Sequence, residues 1–236
     1  MTTTSQRVQQ LLGLVKPPIA IGFPDEAPAS VPQWTGSRQP AGCAFWMFAQ
    51  QGKAFYTVQA DHHNCAIGSY THNIPLPAER AKELEETIGT MVSANYLAMA
   101  EVPGIPTLKH SPNFVAYGPA DSDSFPADVI VVACSPAQAM LLYEAAIKAG
   151  VSSSLASTLG RPACAVLPLA INGGNAALSL GCKGNRTFTG LPDGELYVCV
   201  PAAQWEAVAA KLNEAVEANH TMGNYYQNKQ DQFASQ

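Results

Sequence analysis

The chain predicts a mixed α/β fold, a single domain built with an internal pseudo-two-fold repeat of helix–strand–Cys-loop units. Three observations carry this. First, Asp128–Ala133 is an unbroken apolar run, followed at once by Ser135-Pro136 and an apolar helix pattern. Second, short β-branched or aromatic runs alternate with helical patterns along the chain. Third, Cys43, Ala44, Ala49 and Gly52 share the spacing C-A-x-x-x-x-A-x-x-G with Cys164, Ala165, Ala170 and Gly173. In each case an apolar stretch follows, then another cysteine with a glycine soon after: Cys65 with Gly68, and Cys182 with Gly184. Equivalent units tend to pack about a pseudo-two-fold axis, which would bring their cysteines together. The stretch Arg161–Arg186 holds two of these cysteines and is the centre of the second unit.

Taken in order, Ser5–Val15 places Val8, Leu11, Leu12 and Val15 at helical spacing, with Ser5 as cap and Lys16-Pro17-Pro18 as stop. Ile19–Phe23 reads as a short buried strand, and Asp25–Pro40, rich in Pro, Ser and Ala, as a long loop that covers a site or a partner. Cys43–Gln50 is a short helix packed by Phe45, Trp46 and Phe48 and ended by Gly52. Ala54–Val58 is a strand, and Asp61–Gly68 a loop carrying His62, His63 and Cys65. Ala78–Met99 is the clearest helix, with Leu84, Ile88, Met91, Val92 and Tyr96 on one face and opposite charges at Glu79–Lys82 and Lys82–Glu86.

Phe114–Tyr117 is a short strand. Asp128–Ala133 has the composition of a strand buried on both faces. Ser135 caps a helix over Pro136–Ala149, which Gly150 ends. Strands follow at Ala176–Leu180 and Glu195–Val200. The final helix, Ala202–Asn219, turns Trp205, Val208, Leu212 and Val216 to one side. Residues 1–220 thus form one domain, and 221–236 a polar tail, mobile or held by a partner.

Of the 236 residues, 47% are apolar and 13% charged, with a net charge of −5. The low charge suits contact with a second copy or another partner. The absence of a basic stripe argues against nucleic acid, and no apolar run is long enough for a membrane span. Met1–Gln10 has no apolar segment of the secretory kind, so a cytoplasmic, reducing location is expected. Six cysteines there read as thiols or ligands rather than as a disulfide framework.

Several stretches together resemble the domain of unknown function 169 family: Leu11–Phe23 (LLGLVKPPIAIGF), Gly42–Tyr56 (GCAFWMFAQQGKAFY), Asp61–Tyr70 (DHHNCAIGSY), Pro136–Leu142 (PAQAMLL), Arg161–Ala165, Ser179–Arg186 (SLGCKGNR) and Asp193–Pro201 (DGELYVCVP). No piece is specific alone; their order and spacing are. The family's cysteine pattern looks like Cys43, Cys65, Cys164 and Cys182, with Cys134 and Cys199 as additions. The segment Thr71-His72-Asn73 departs from the apolar-glycine continuation usual after the second cysteine.

Three constellations carry chemistry. The four thiols of Cys43, Cys65, Cys164 and Cys182 suit a 4Fe–4S cluster, with zinc as the alternative and buried structural thiols as the plain reading. Their spacing has no C-x-x-C, so convergence has to come from the fold. Nearby glycines would let backbone amides approach the sulfurs, which leans towards iron–sulfur. In the loop Asp61–Gly68, His63 stands two residues from Cys65 and is a ligand or an acid–base partner, where solvated histidines are the commoner outcome. In Gly181–Arg186, Lys183 and Arg186 flank Cys182, and Arg186 is the better holder of a small anionic ligand; an ordinary tight turn is the plain alternative. Two further readings stay open: a thiol enzyme using Cys65 or Cys182 with His63, and a non-catalytic binding or assembly subunit. No catalytic residue is assigned, and a redox partner or a homo-oligomer is the expected company.

Overall fold

The structure is a computed structural model that describes residues 2–151, 156–158 and 162–234. Arg161, which opens one of the motifs above, lies outside the described residues, as do the last two residues of the tail.

Helix α1 (Thr4–Leu12) is capped by Thr3, whose hydroxyl accepts from the Gln6 amide, two residues earlier than the Ser5 cap expected. Strand β1 (Ile19–Gly22) is buried throughout. A single 3-10 turn, Gly42–Ala44, leads into α2 (Phe45–Gln50), and β2 (Phe55–Val58) follows. The segment expected as a loop is helical on both sides of Cys65: α3 (Gln59–His62) and α4 (Ala66–Thr71). Neither is long enough to show a hydrophobic period, which is why the sequence reads as a loop.

Helix α5 (Ala78–Ser93) ends six residues before the expected Met99, and a 3-10 segment, Met99–Gly104, begins where the expected helix would have ended. Its surface carries the Lys82–Glu86 contact at 4.0 Å and an Arg80–Glu83 pair. Strands β3 (Phe114–Pro119) and β4 (Val129–Cys134) lead to α6 (Pro136–Lys148), where Ser135 and Gln138 form a reciprocal cap. After β5 (Ala156–Ser157), the 3-10 turn Ala163–Ala165 opens α7 (Val166–Gly173). Then come β6 (Ala177–Ser179), α8 (Lys183–Thr189) and β7 (Leu196–Pro201). Helix α9 (Trp205–Ala234) runs well past the expected Asn219, and its residues from Glu217 on are exposed.

The strands form one sheet in the order β2-β3-β1-β4-β7-β6-β5. All pairings are antiparallel except β5–β6. β4 is buried on both faces as expected, yet it lies between antiparallel neighbours, because helices cover both sides of the sheet. Val129, Val131 and Ala133 face a core shared with α2 and α7, whereas Ile130, Val132 and Cys134 face one shared with α1, α6 and α9. Asp128 ties the centre together, its carboxylate accepting from the Phe23 amide at 2.7 Å.

The sheet reads alike outward from its centre. Ala20 pairs with Ile130 across β1 and β4. On one side Ala20 pairs with Gly118, and Ala116 with Tyr56. On the other Ile130 pairs with Val200, and Val198 with Leu178. Strand order and register therefore coincide in the two halves, with β5 added to the second. Each half carries a cysteine-bearing 3-10 turn before a helix on the same face, and Ala49 and Ala170 are both fully buried where these helices cross the sheet.

Candidate functional site

The four cysteines occupy two kinds of local structure, one of each in either half. Cys43 and Cys164 lie in the 3-10 turns that open α2 and α7, and both are buried. Cys65 and Cys182 cap α4 and α8 and are half-buried. Sulfur acts here as a helix cap: Cys65 Sγ accepts from the Gly68 amide at 3.3 Å, and Cys182 Sγ from the Asn185 amide at 3.4 Å. The amides of Gly42 and Ile67 also favour negative charge on Cys65. A cap of this kind falls outside the usual Ser, Thr, Asp and Asn set, so no sequence rule flags it.

All four cysteines line one cavity of about 500 Å3. Every pair among them is close enough for charge on one to oppose ionisation of another. Burial, with repulsion between the sulfurs adding to it, raises Cys43, Cys65 and Cys164: Cys43 is pushed up to about 12, Cys65 is raised, and Cys164 is raised well above the usual range. The Thr71 hydroxyl lies 3.3 Å from Cys164 Sγ, a contact that favours the thiolate. As placed, no three His, Cys, Asp or Glu side chains among the described residues stand close enough to share a single metal ion.

A polar layer lies behind Cys43. His62 and His72 are each 1% exposed. His62 Nε2 stands 2.8 Å from Thr57 Oγ1, while His62 Nδ1, both ring nitrogens of His72 and the Tyr117 hydroxyl are buried with no hydrogen-bond partner. Burial depresses both histidines, His62 to about 3 and His72 to about 4, so both rings are neutral at physiological pH. The side-chain amide of Asn185 is buried next to Cys43 and Tyr197. It stands outside hydrogen-bond geometry to either, yet close enough to favour ionisation of both.

Of the other residues singled out in the sequence, His62 belongs to this layer and is not solvated. His63 does not line the cavity; its carbonyl accepts from Arg80 Nε at 2.8 Å. Arg186 is also away from the cavity. Its guanidinium donates to the carbonyls of Leu180, Leu191, Pro192 (2.6 Å) and Glu195 (2.8 Å), with Asp193 at 3.9 Å. That commitment leaves too few donors for an anionic ligand, and the Gly181–Arg186 segment reads as a clamped turn. Lys183 reaches the cavity and is exposed. Sequence reasoning missed His72, Asn185, Tyr117 and Thr71. The one available signal was the Thr71-His72-Asn73 segment just after Cys65, which stood out from the family pattern.

The arrangement defines a class: a sheet domain with helices on both faces that gathers four distant thiols in one cavity. The profile of the DUF169 family, described as Uncharacterised ArCR, matches residues 7–211, and the chain belongs to that family. Neither a curated protein nor a solved structure matches the chain at a significant level. No helix among the described residues is long and apolar enough to cross a membrane.

Proposed function

We propose that the chain is a cysteine-ligated metalloprotein holding a 4Fe–4S cluster on Cys43, Cys65, Cys164 and Cys182. The observation that carries this is the meeting of all four thiols in one cavity, delivered as two like pairs of a turn cysteine and a helix-cap cysteine. The donor set fits the group. Four soft ligands converge, amides of Gly68 and Asn185 donate to two of the sulfurs, and the Thr71 hydroxyl approaches a third. Zinc fits less well. A tetrahedral ion with Zn–S bonds of about 2.3 Å needs sulfurs about 3.8 Å apart, and no three such donors meet around one point among the described residues. A cubane cluster presents an iron at each of four corners and takes sulfurs held farther apart.

When bound, such a cluster supplies an electron or a Lewis-acidic iron. The chain's own residues then hold the thiolates, exclude water through Ala66, Ala163 and Pro162, and favour negative sulfur with backbone amides. Electron transfer calls for a redox partner or a second copy, and a reducing cytoplasm keeps the thiols free. The thiol-enzyme reading with Cys65 or Cys182 and His63 is the weaker one, because burial raises Cys65 and His63 does not line the cavity. A binding or assembly subunit remains compatible with the exposed Met222, Tyr225 and Phe233 of α9.

The test is anaerobic purification with visible absorption, iron and acid-labile sulfide analysis. Four irons and four sulfides per chain, lost in Cys43→Ser and Cys164→Ser, are expected. Colourless protein that stays free of iron and sulfide after anaerobic reconstitution would end the proposal.

A further inference from the structure

The cavity shared by the thiols extends well beyond them. Its volume of about 500 Å3 lies in the range of pockets that take small organic molecules. One wall is a single face of α5, where Thr87, Thr90 and Met91 recur at helical spacing and Ala94, its C-cap, continues the face. Leu97 and Phe188 extend the apolar lining. None of the residues of α5 is buried, so this wall is half-open on the cavity side rather than part of the core.

Among the described residues, the charged side chains that reach the cavity are one of each sign, Glu83 and Lys183. Glu83 is paired with Arg80, and Lys183 is exposed. Asn64 is committed, donating to the Gln39 carbonyl at 2.9 Å and accepting from Arg38 at 2.7 Å. Asn185 differs: it is 2% exposed in total, lines the cavity, and has neither side-chain amide atom in a hydrogen bond. Among the described residues the interior therefore offers mainly apolar surface, the hydroxyl-bearing Thr87, Thr90 and Tyr96, and one buried neutral amide whose side-chain atoms are unpaired. An anion entering it would lose its hydration without meeting a buried cation among the described residues, and beside a bound cluster it would face negative charge.

We infer that this cavity binds a small, uncharged, largely apolar organic molecule with one neutral hydrogen-bonding group, seated between the four sulfurs and α5, the polar group on Asn185. This deepens the cluster proposal and rests on it for the identity of the ligand's metal-bearing neighbour. It replaces the small anionic ligand that Arg186 suggested in the sequence.

The full-length chain is titrated with the neutral dye aminoanthracene and with anilinonaphthalene sulfonate, an anionic dye of related shape, followed by fluorescence. Saturable one-to-one binding of the neutral dye is expected, with the sulfonate weaker by roughly tenfold or more. Met91→Trp and Thr87→Trp, each checked for the wild-type circular dichroism spectrum, fill the cavity and weaken the neutral dye by a similar factor. Equal binding of the two dyes to the wild-type chain, no saturable binding, or unchanged affinity in a folded Trp variant would overturn the inference. Iron is measured on the same samples. Dye binding in chains that never take up iron would sink the cluster and keep the cavity; iron uptake without dye binding would do the reverse.

Discussion

Replacing Gly42 with alanine tests the packing behind the site. Gly42 opens the turn that carries Cys43, and a Cβ there would stand 2.9 Å from His62 Nδ1, 3.5 Å from its Cε1 and 3.9 Å from His72 Cε1. The His62 ring has no room to yield. It is held by Thr57 at 2.8 Å, stacks on Tyr117 at 6.4 Å between ring centres, and packs against Phe45 at 5.6 Å. The turn itself must move. Overpacking of this kind costs about 1–3 kcal/mol, and for a domain of this size each kcal/mol lowers the melting temperature by about 2–4 °C. A fall of about 2–12 °C is therefore expected for Gly42→Ala. Because the Gly42 amide also favours charge on Cys65, two of the four thiols are disturbed, and iron uptake should fall with stability. Gly89→Ala is the control. Nothing lies within 4 Å of its Cβ, and it sits within α5, so a gain of about 0.5–1 kcal/mol is expected. Thermal melts by circular dichroism with iron analysis decide the matter. A Gly42→Ala chain that melts like wild type and loads iron fully would refute this account of the turn.

Two other perturbations have defined signs. The buried histidines have depressed folded-state values, about 3 for His62 and about 4 for His72, against 6.5 when unfolded. The unfolded chain thus takes up protons first, and their contribution is complete above pH 6.5 and is lost towards pH 4, at up to about 1.4 kcal/mol per pH unit for each ring. Cys43 and Cys134 behave in the opposite sense: raised from 9.0 to about 12, they favour the folded state below pH 9 and lose that contribution between 9 and 12. Urea unfolding of the metal-free chain should show a stability plateau between these limits, and a profile flat from about pH 5 to about pH 11 would contradict it. Arg186→Lys should lower stability by about 2 kcal/mol, since a lysine cannot reproduce the planar fork that reaches four carbonyls. Unchanged melting with lost ligand binding would instead return Arg186 to the site.

Where a segment carries its own signal, sequence and structure agree. The apolar run ending at Ala133, the Ser135 cap and Pro136 in the first turn produced β4 and α6 almost to the residue, because caps and periodicity act within a few residues. The region around Cys65 reads as a loop in the sequence, because helices of four and six residues show no period and the cap of α4 is a sulfur. Arg186 reads in the sequence as a ligand-holding cation because its type suits anions; which acceptors it meets depends on a turn that brings the 191–195 carbonyls back to it. His62 reads in the sequence as part of a solvated loop, yet Thr57 and Tyr117 of the sheet and Phe45 of α2 enclose it. Burial of a polar ring is decided by what packs over it, which composition does not record.

The sequence by itself determined the mixed α/β class, most of the longer elements and the four cysteines as the residues to follow, since these rest on local propensity, periodicity and residue chemistry. Tertiary structure alone decided that the thiols meet, that Asn185 and Thr71 stand beside them, and that an apolar cavity faces α5. These are contacts between residues as far apart as Thr71 and Cys164, and only the sheet order, with its matching registers on either side of β1 and β4, sets such distances.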